Sequence, residues 1–577
     1  MAEAVRHFLR IRDPEHHRVE IESRFPAGAP RDVFMPVWTP GSYLVREYAR
    51  HVETLAAEAS DGAALPAAKT AKNRWRVEAP AGEPFVIRYR LYGRELTVRT
   101  NFVDRDFAVF QGPATFLCGA GDGARAHHVT VETPSSWTRV ACALPEDGGG
   151  YRAADFDALA DAPIYAGSAE ARGFRVAGRE HLLIVEGADA LWDAASATRD
   201  CAAIAETLHR LWGFLPYDRY FLLQILAAGA SGGLEHRDCA VLLADPFAVR
   251  TRKGYLEWLA LVAHEMFHAW NVKRLRPRAL GPFDYEAENP TPSLWVAEGV
   301  TRYYDDLLVH RSGLSSRKEY LRALGKQLAD LENVPGRAVQ SLRDASFDAW
   351  IKYYRQDENT VNSAVSYYVK GAVVAFLLDV RLRRETAGRA SLDTVLRLAY
   401  DRWSGARGFA EEEFRATAEE IAGADLGEFF GNAVDTAAEL DLEPAFEWFG
   451  LRRRAKPLRE DEEAGAWLGA KAKNDEGRLV VQEVRRDSPA WHAGLAPGDE
   501  IVGLAGHRVL AGKWEERLRS FRPAETAELL VARRGRLLPL AVTFAAPPDV
   551  WTLEVDAAAT AEQKARLESW LQGNGSA

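Results

Sequence analysis

Two histidines four residues apart, His264 and His268, close an apolar run that begins at Tyr255. A helix turns once every 3.6 residues, so both imidazoles of His264-Glu265-Met266-Phe267-His268 leave the same face. The stretch before them, with Leu256, Trp258, Leu259, Leu261 and Val262, has the texture of a buried helix. Two imidazoles on such a helix constrain the fold, because buried polar groups need partners. Two rings one turn apart can both reach a Zn2+ at about 2 Å, and Glu265 lies on the flanking face, close enough to polarise an attacking water. Taken alone, the five residues also fit a core helix with two satisfied histidines. A second segment changes the balance. Trp295-Val296-Ala297-Glu298-Gly299-Val300 reads as another helix, with Asn289-Pro290 and Thr291-Pro292 just before it. Its apolar flanks imply that Glu298 is buried, and a metal is a good partner for a buried carboxylate. Two histidines and one glutamate leave a fourth position open, as a catalytic metal requires. His264, His268 and Glu298 are therefore the expected ligands of one Zn2+ per chain, and Glu265 the expected general base.

A chain of 577 residues exceeds what one hydrophobic core organises, so three or more domains are expected. The net charge of −10 provides no basic footprint and argues against a nucleic-acid partner. No stretch approaches the roughly 20 apolar residues of a membrane span, and residues 1–12 interleave Glu3, Arg6, Arg10 and Arg12 with apolar side chains, unlike a secretion signal. A cytoplasmic protein without a membrane partner is expected. Cys118, Cys142, Cys201 and Cys239 are widely spaced and read as free thiols.

Period-two alternation, as in Phe85, Ile87, Tyr89 and Leu91, marks the first ~185 residues as mostly β. Val19 with Ile21, and Val129 with Val131, repeat the pattern. Helical spacing then takes over at 256–272, 294–308, 364–383 and 414–421, after a strand at 222–226. The expected fold class is α+β and multidomain: a β-rich domain over 1–188, a mainly helical catalytic domain over 189–450 with a small sheet at its start, a charged exposed connector over 451–465, a β domain over 466–548, and a tail over 549–577 with a short helix at 560–571.

Two further segments face a substrate if the metal reading holds. Gly232-Gly233-Leu234-Glu235-His236 offers glycines at which another chain can approach the backbone, on a strand whose edge can pair with an extended peptide. Glu235 would then put a carboxylate near the first residue of that peptide; read alone, the segment is a Gly-rich turn with a solvated glutamate. Ser366-Tyr367-Tyr368-Val369-Lys370-Gly371 holds hydroxyls able to donate to a developing oxyanion, and alone reads as an aromatic pair in a core. Lys273, Arg274 and Arg276 follow the histidine helix; a solvated face is the simplest reading, a carboxylate site or a lock between domains the alternatives.

In this order, G-G-L-E-H, H-E-M-F-H, W-V-A-E-G and Y-V-K-G resemble the gluzincin aminopeptidases. The longer strings HEMFHAWNVKRLRP at 264–277 and PVWTPGSYLVR at 36–46 are similar to the glycyl aminopeptidase family, whose members carry a PDZ domain after the catalytic domain. Ser488-Pro489-Ala490-Trp491-His492-Ala493-Gly494-Leu495 followed by Pro497-Gly498-Asp499 resembles a PDZ signature. The resemblance implies a β N-terminal domain, a thermolysin-like catalytic domain and a C-terminal PDZ. It implies that zinc is held by His264, His268 and Glu298, that Glu265 is base and then proton donor, that Glu235 holds the substrate α-amine beside Gly232 and Gly233, and that Tyr368 stabilises the tetrahedral intermediate. It implies release of N-terminal glycine and small residues such as alanine from peptides with a free N-terminus. Leu234 and His236 stand where the broader aminopeptidases have Met and Asn, and Ala297 where Asn is common. A zinc endopeptidase whose PDZ selects substrates is the alternative, and a non-catalytic PDZ scaffold a third reading. Trp467-Leu468-Gly469 would receive a C-terminal peptide carboxylate at the PDZ, unless that domain only packs; the 560–571 helix covers surface or reaches a second copy in a homo-oligomer.

Overall fold

The structure, a computed structural model, describes residues 3–187, 191–455, 465–548 and 551–573. The expected boundary at 188/189, residues 456–464 of the expected connector, and the start of the expected tail at 549–550 lie outside these residues. The chain forms two compact units. The first comprises Met1–Thr291, Tyr304–Ser315 and Asp393–Thr417, and the second Pro292–Tyr303, Ser316–Leu392 and Ala418–Ala577.

In the first unit, Val5–Arg10, Arg18–Phe25, Phe85–Tyr92 and Val52–Ala59 are successive neighbours within an eight-stranded sheet, and His127–Glu132 joins Val5–Arg10 in parallel. The strand period of two sends Phe85, Ile87, Tyr89 and Leu91 inward, where they join Val19, Ile21 and Val129 in one core. Strands Glu170–Val176 and Arg179–Glu186 have the same periodicity, and the sequence reading groups them with this β region. They pair instead into a five-stranded sheet with later strands, in the order Glu170–Val176, Arg179–Glu186, Arg219–Leu226, Cys239–Ala244, Gly232–Glu235. Periodicity identifies a strand but not its neighbour, and here the neighbours are parallel strands that lie further along the chain. Gly232–Glu235 is the edge strand, as expected.

The Arg252–Phe267 helix starts at Thr251, whose hydroxyl accepts from the Gly254 N–H. Trp258 Nε1 donates to Gln224 Oε1 at 2.7 Å, tying this helix to the middle of the sheet. The helix stops at His268 rather than continuing to 272, because the chain turns through Val272 at φ 143°, a conformation few β-branched residues adopt.

In the second unit, a π-helical turn Trp295–Gly299 leads into the Val300–Arg311 helix, whose sequence continues into the first unit. Arg317–Glu332 and Tyr367–Glu385 are the long helices. The stretch Thr360–Glu385 is apolar and long enough to pass for a membrane span by composition, contrary to the sequence reading, yet its Val373, Val374, Phe376 and Leu378 are buried inside the unit. The expected charged connector begins as a strand: Leu451–Ala455 pairs antiparallel with Trp551–Val555. Arg452 and Arg454 lie against Glu554, so the charges that resembled a solvated linker form the outer face of a ribbon. The PDZ part builds a sheet from Ala470–Asp475, Arg478–Val484, Glu500–Leu504, Thr526–Arg533 and Arg536–Thr543 around Leu479, Val481, Ile501, Leu529 and Val531. Asn362 joins this part to the helices: its amide donates to Val484 O at 2.8 Å and accepts from Arg486 N at 2.7 Å. All four cysteines are free and buried.

Candidate metal centre

The Arg252–Phe267 helix and its C-cap bring His264 and His268 to one side, with ring centroids 4.7 Å apart and nearly perpendicular planes. Each ring is aimed through its Nδ1. His268 Nδ1 lies 2.7 Å from the Asn271 carbonyl oxygen. A carbonyl only accepts, so Nδ1 carries the proton and Nε2 keeps its lone pair for a metal. His264 Nδ1 stands 3.5 Å from Asp305 Oδ2, and Asp305 is buried. Neither Asn271 nor Asp305 was expected from sequence, although Asp305 follows Glu298 by seven residues, two helical turns, a spacing that places both on one face.

Glu298 occupies the π turn, 1% exposed. Single π turns recur at functional sites because the extra residue re-aims a side chain. His264 and His268 lie in the first unit and Glu298 in the second, and each offers one candidate ligand atom. Two imidazole nitrogens and a buried carboxylate oxygen suit Zn2+, and fewer than four protein donors leave coordination open. The donor chemistry thus fits the metal expected from the sequence.

Gly299 and Gly371 explain why W-V-A-E-G and Y-V-K-G both end in glycine. A Cβ on Gly299 would meet the Gly371 Cα at 2.6 Å and Tyr367 O at 2.9 Å. Only two glycines permit this approach, and it brings the start of the Tyr367–Glu385 helix against the turn that carries Glu298. Tyr368 packs with Tyr353 and Tyr367 at ring distances of 5.6 and 4.6 Å. Burial, and next the charge of Glu298, raise the pKa of its hydroxyl well above the ordinary value, so it keeps a proton to donate.

Glu235 and Glu265 are both 4% exposed. One atom each from Glu235, Glu265 and His268 lie within 4.8 Å of one another, which puts the two glutamates at a single place. Glycine permits this too. A Cβ on Gly233 would meet Glu265 Oε1 at 2.1 Å, and one on Gly41 would meet the Glu235 carboxylate oxygens at 2.5 and 2.6 Å. Gly232 meets nothing but holds φ 123°, which favours glycine. Gly41 belongs to the string PVWTPGSYLVR, which is anchored by buried Trp38, whose Nε1 donates to Asp284 O at 2.8 Å. Glu235 Oε1 is buried and has no hydrogen-bond partner.

The positive run after His268 is not a solvated face. Arg274 is 8% exposed and donates to Asp238 Oδ1 at 2.7 Å and to the carbonyls of Arg237 and Ala269. Lys273 has an 8% exposed side chain whose Nζ donates to Asp161 Oδ1 at 2.8 Å. Arg276 donates to Gly281 O and Ala406 O.

The comparisons with known proteins fall on these same segments. The family model described as M61 glycyl aminopeptidase matches residues 257–374, that of the peptidase M61 N-terminal domain 8–168, and that of the PDZ domain 466–544. No curated protein matches. Among solved structures, an aminopeptidase N family protein from Idiomarina loihiensis is similar over 98% of this chain and 100% of its own, with 30% identity and a TM-score of 0.91. An M1 zinc metallopeptidase from Deinococcus radiodurans aligns over 76% of this chain and 95% of its own, with 15% identity and a TM-score of 0.48. With its family segments in order and a relative matched along its entire length, this chain belongs to the M61 glycyl aminopeptidase family.

Proposed function

We propose that the chain is a zinc-dependent aminopeptidase that hydrolyses the first peptide bond of substrates with a free N-terminus, preferring glycine and small residues such as alanine. The observation that carries this reading is the grouping of Glu235, Glu265 and His268 within 4.8 Å. A carboxylate that binds an α-ammonium must lie about one residue from the base that serves the scissile carbonyl, and that spacing measures one residue from the chain end. The crowding of Glu235 by Gly41 favours a small first residue.

His264, His268 and Glu298 would hold one Zn2+ per chain, which supplies Lewis acidity toward the peptide carbonyl and its attacking water. Glu265 accepts the proton of that water and returns it to the leaving amine. Glu235 fixes the α-ammonium, and so the register, while the edge strand Gly232–Glu235 offers backbone groups to an extended peptide. Tyr368 donates its hydroxyl to the developing oxyanion.

Glu265→Gln tests the base. Glutamine keeps the size of the side chain but accepts a proton poorly, so kcat is expected to fall about 10³-fold, within the range of general-base contributions, while bound zinc measured by atomic emission stays at one per chain. Near-normal turnover in a zinc-loaded Glu265→Gln protein would remove Glu265 from the role.

A further inference from the structure

Asp161 sits just past the short Phe156–Ala160 helix and takes three donors from elsewhere in the same unit. His236 Nδ1 is 3.1 Å from its Oδ1, the Arg237 N–H donates to Oδ2 at 2.8 Å, and Lys273 Nζ donates to Oδ1 at 2.8 Å. Two of these donors immediately follow Glu235, so Asp161 holds the end of the edge strand. The third is a buried ammonium within electrostatic reach of Glu235. Burial raises the Asp161 pKa, yet Lys273 and His236 outweigh it and hold the carboxyl well below the usual range. Burial lowers the Lys273 pKa, and Asp161 and then Glu235 bring it back above its ordinary value.

The half-buried Asp161 bonds this lysine directly, and the buried Glu235 acts on it electrostatically. A lone buried cation normally pairs with any carboxylate it can reach, and the flexible four-carbon stem of a lysine lets its ammonium move between neighbouring partners. Here Lys273 bonds Asp161, and Glu235 Oε1 is left without a hydrogen bond although it is buried. A buried carboxylate oxygen in that state costs free energy unless a ligand completes it. We propose that Asp161 is a positioning residue for N-terminal recognition: it retains Lys273 and so keeps Glu235 free for the α-ammonium of the substrate. This rests on Glu235 being the amine-binding carboxylate.

The test compares steady-state kinetics on alanyl p-nitroanilide for the wild type, Glu235→Gln, Asp161→Asn, Lys273→Met and the double variant Asp161→Asn/Lys273→Met, each checked for zinc content. Glu235→Gln is expected to raise KM. Asp161→Asn releases Lys273 to Glu235 and is expected to raise KM about tenfold or more, the factor that one charge-assisted hydrogen bond is worth, with a smaller effect on kcat. The double variant removes the competing cation and is expected to return KM to within about threefold of wild type, whereas lost packing alone would not be rescued by a second core substitution. Lys273→Met alone keeps Asp161 charged and is expected to lower KM, opposite in sign to Asp161→Asn, which preserves the test if Asp161→Asn fails to fold. A double variant as impaired as Asp161→Asn, a KM unmoved by Asp161→Asn, or a KM raised by Lys273→Met would overturn the role of Asp161 while a raised KM in Glu235→Gln left the amine site standing. A normal KM in Glu235→Gln would instead remove the amine site, and this proposal with it.

Discussion

An imidazole binds a metal through one nitrogen and is aimed by what the other one meets. Here Asn271 O and Asp305 hold the Nδ1 atoms of His268 and His264, at 2.7 and 3.5 Å. Asp305→Asn preserves the shape of the side chain and removes its charge. The expected effect is a loss of zinc affinity of about 10- to 100-fold, typical of such supporting residues, read by competition with a chromophoric chelator; unchanged affinity would mean that packing alone orients His264. The two histidines were legible because helical spacing has a fixed geometry, and Glu298 because its flanks are apolar. Asn271 was not, since a backbone carbonyl leaves no mark on the sequence. Nor was the turn at Val272, whose φ of 143° is imposed by its surroundings rather than by its residue type. Lys273 and Arg274 were misread because a charged run looks the same whether it is solvated or matched by Asp161 and Asp238.

Strands were legible as strands wherever one face is buried, and their partners were not. Glu170–Val176 and Arg179–Glu186 join a sheet with later strands, and Leu451–Ala455 meets a strand about a hundred residues away, because pairing is decided by tertiary packing that local periodicity does not encode. The β content of the 466–548 domain was legible, and its strands Thr526–Arg533 and Arg536–Thr543 flank the Arg534-Gly535 turn. One pair of elements carries a titratable core. His7 on Val5–Arg10 and His127 on the parallel neighbour His127–Glu132 share a hydrogen bond of 3.0 Å, and His7 also bonds Ser23 Oγ at 2.8 Å. Burial, then His127, lowers the His7 pKa well below 6.5; burial, then Arg125, lowers His127 to about 4. On unfolding both rings return toward 6.5 and bind protons that the folded sheet excludes. Their contribution to stability is therefore complete above pH 6.5 and lost as the pH falls below it, for His127 down to about 4. The melting temperature should drop across this window, and the drop should shrink in a His7→Leu/His127→Leu variant; parallel pH profiles for the two proteins would contradict this.

At the scale of the molecule, the C-terminal segment is part of the helical core rather than a cover. Trp570 is fully buried, stacks on Phe449 at 4.5 Å, and donates from Nε1 to Tyr303 Oη at 2.8 Å, while Tyr303 in turn donates to Asp379. Trp570→Ala should destabilise the second unit by about 3–5 kcal/mol, seen as a lower urea midpoint, and a midpoint like the wild type would show that the helix is only laid on the surface. The order of domains was legible from the change of period along the chain; the docking of the last helix was not, because an amphipathic pattern reports a buried face without saying what covers it. The central claim is that a metal centre and an amine-binding carboxylate act together on the first peptide bond. It is tested most directly by hydrolysis of glycyl and alanyl p-nitroanilides beside N-acetyl-glycyl p-nitroanilide, with and without a zinc chelator. The expected result is chelator-sensitive release from the two free-amine substrates and none from the blocked one. Comparable release from the acetylated substrate would contradict the role of Glu235 and make the enzyme an endopeptidase.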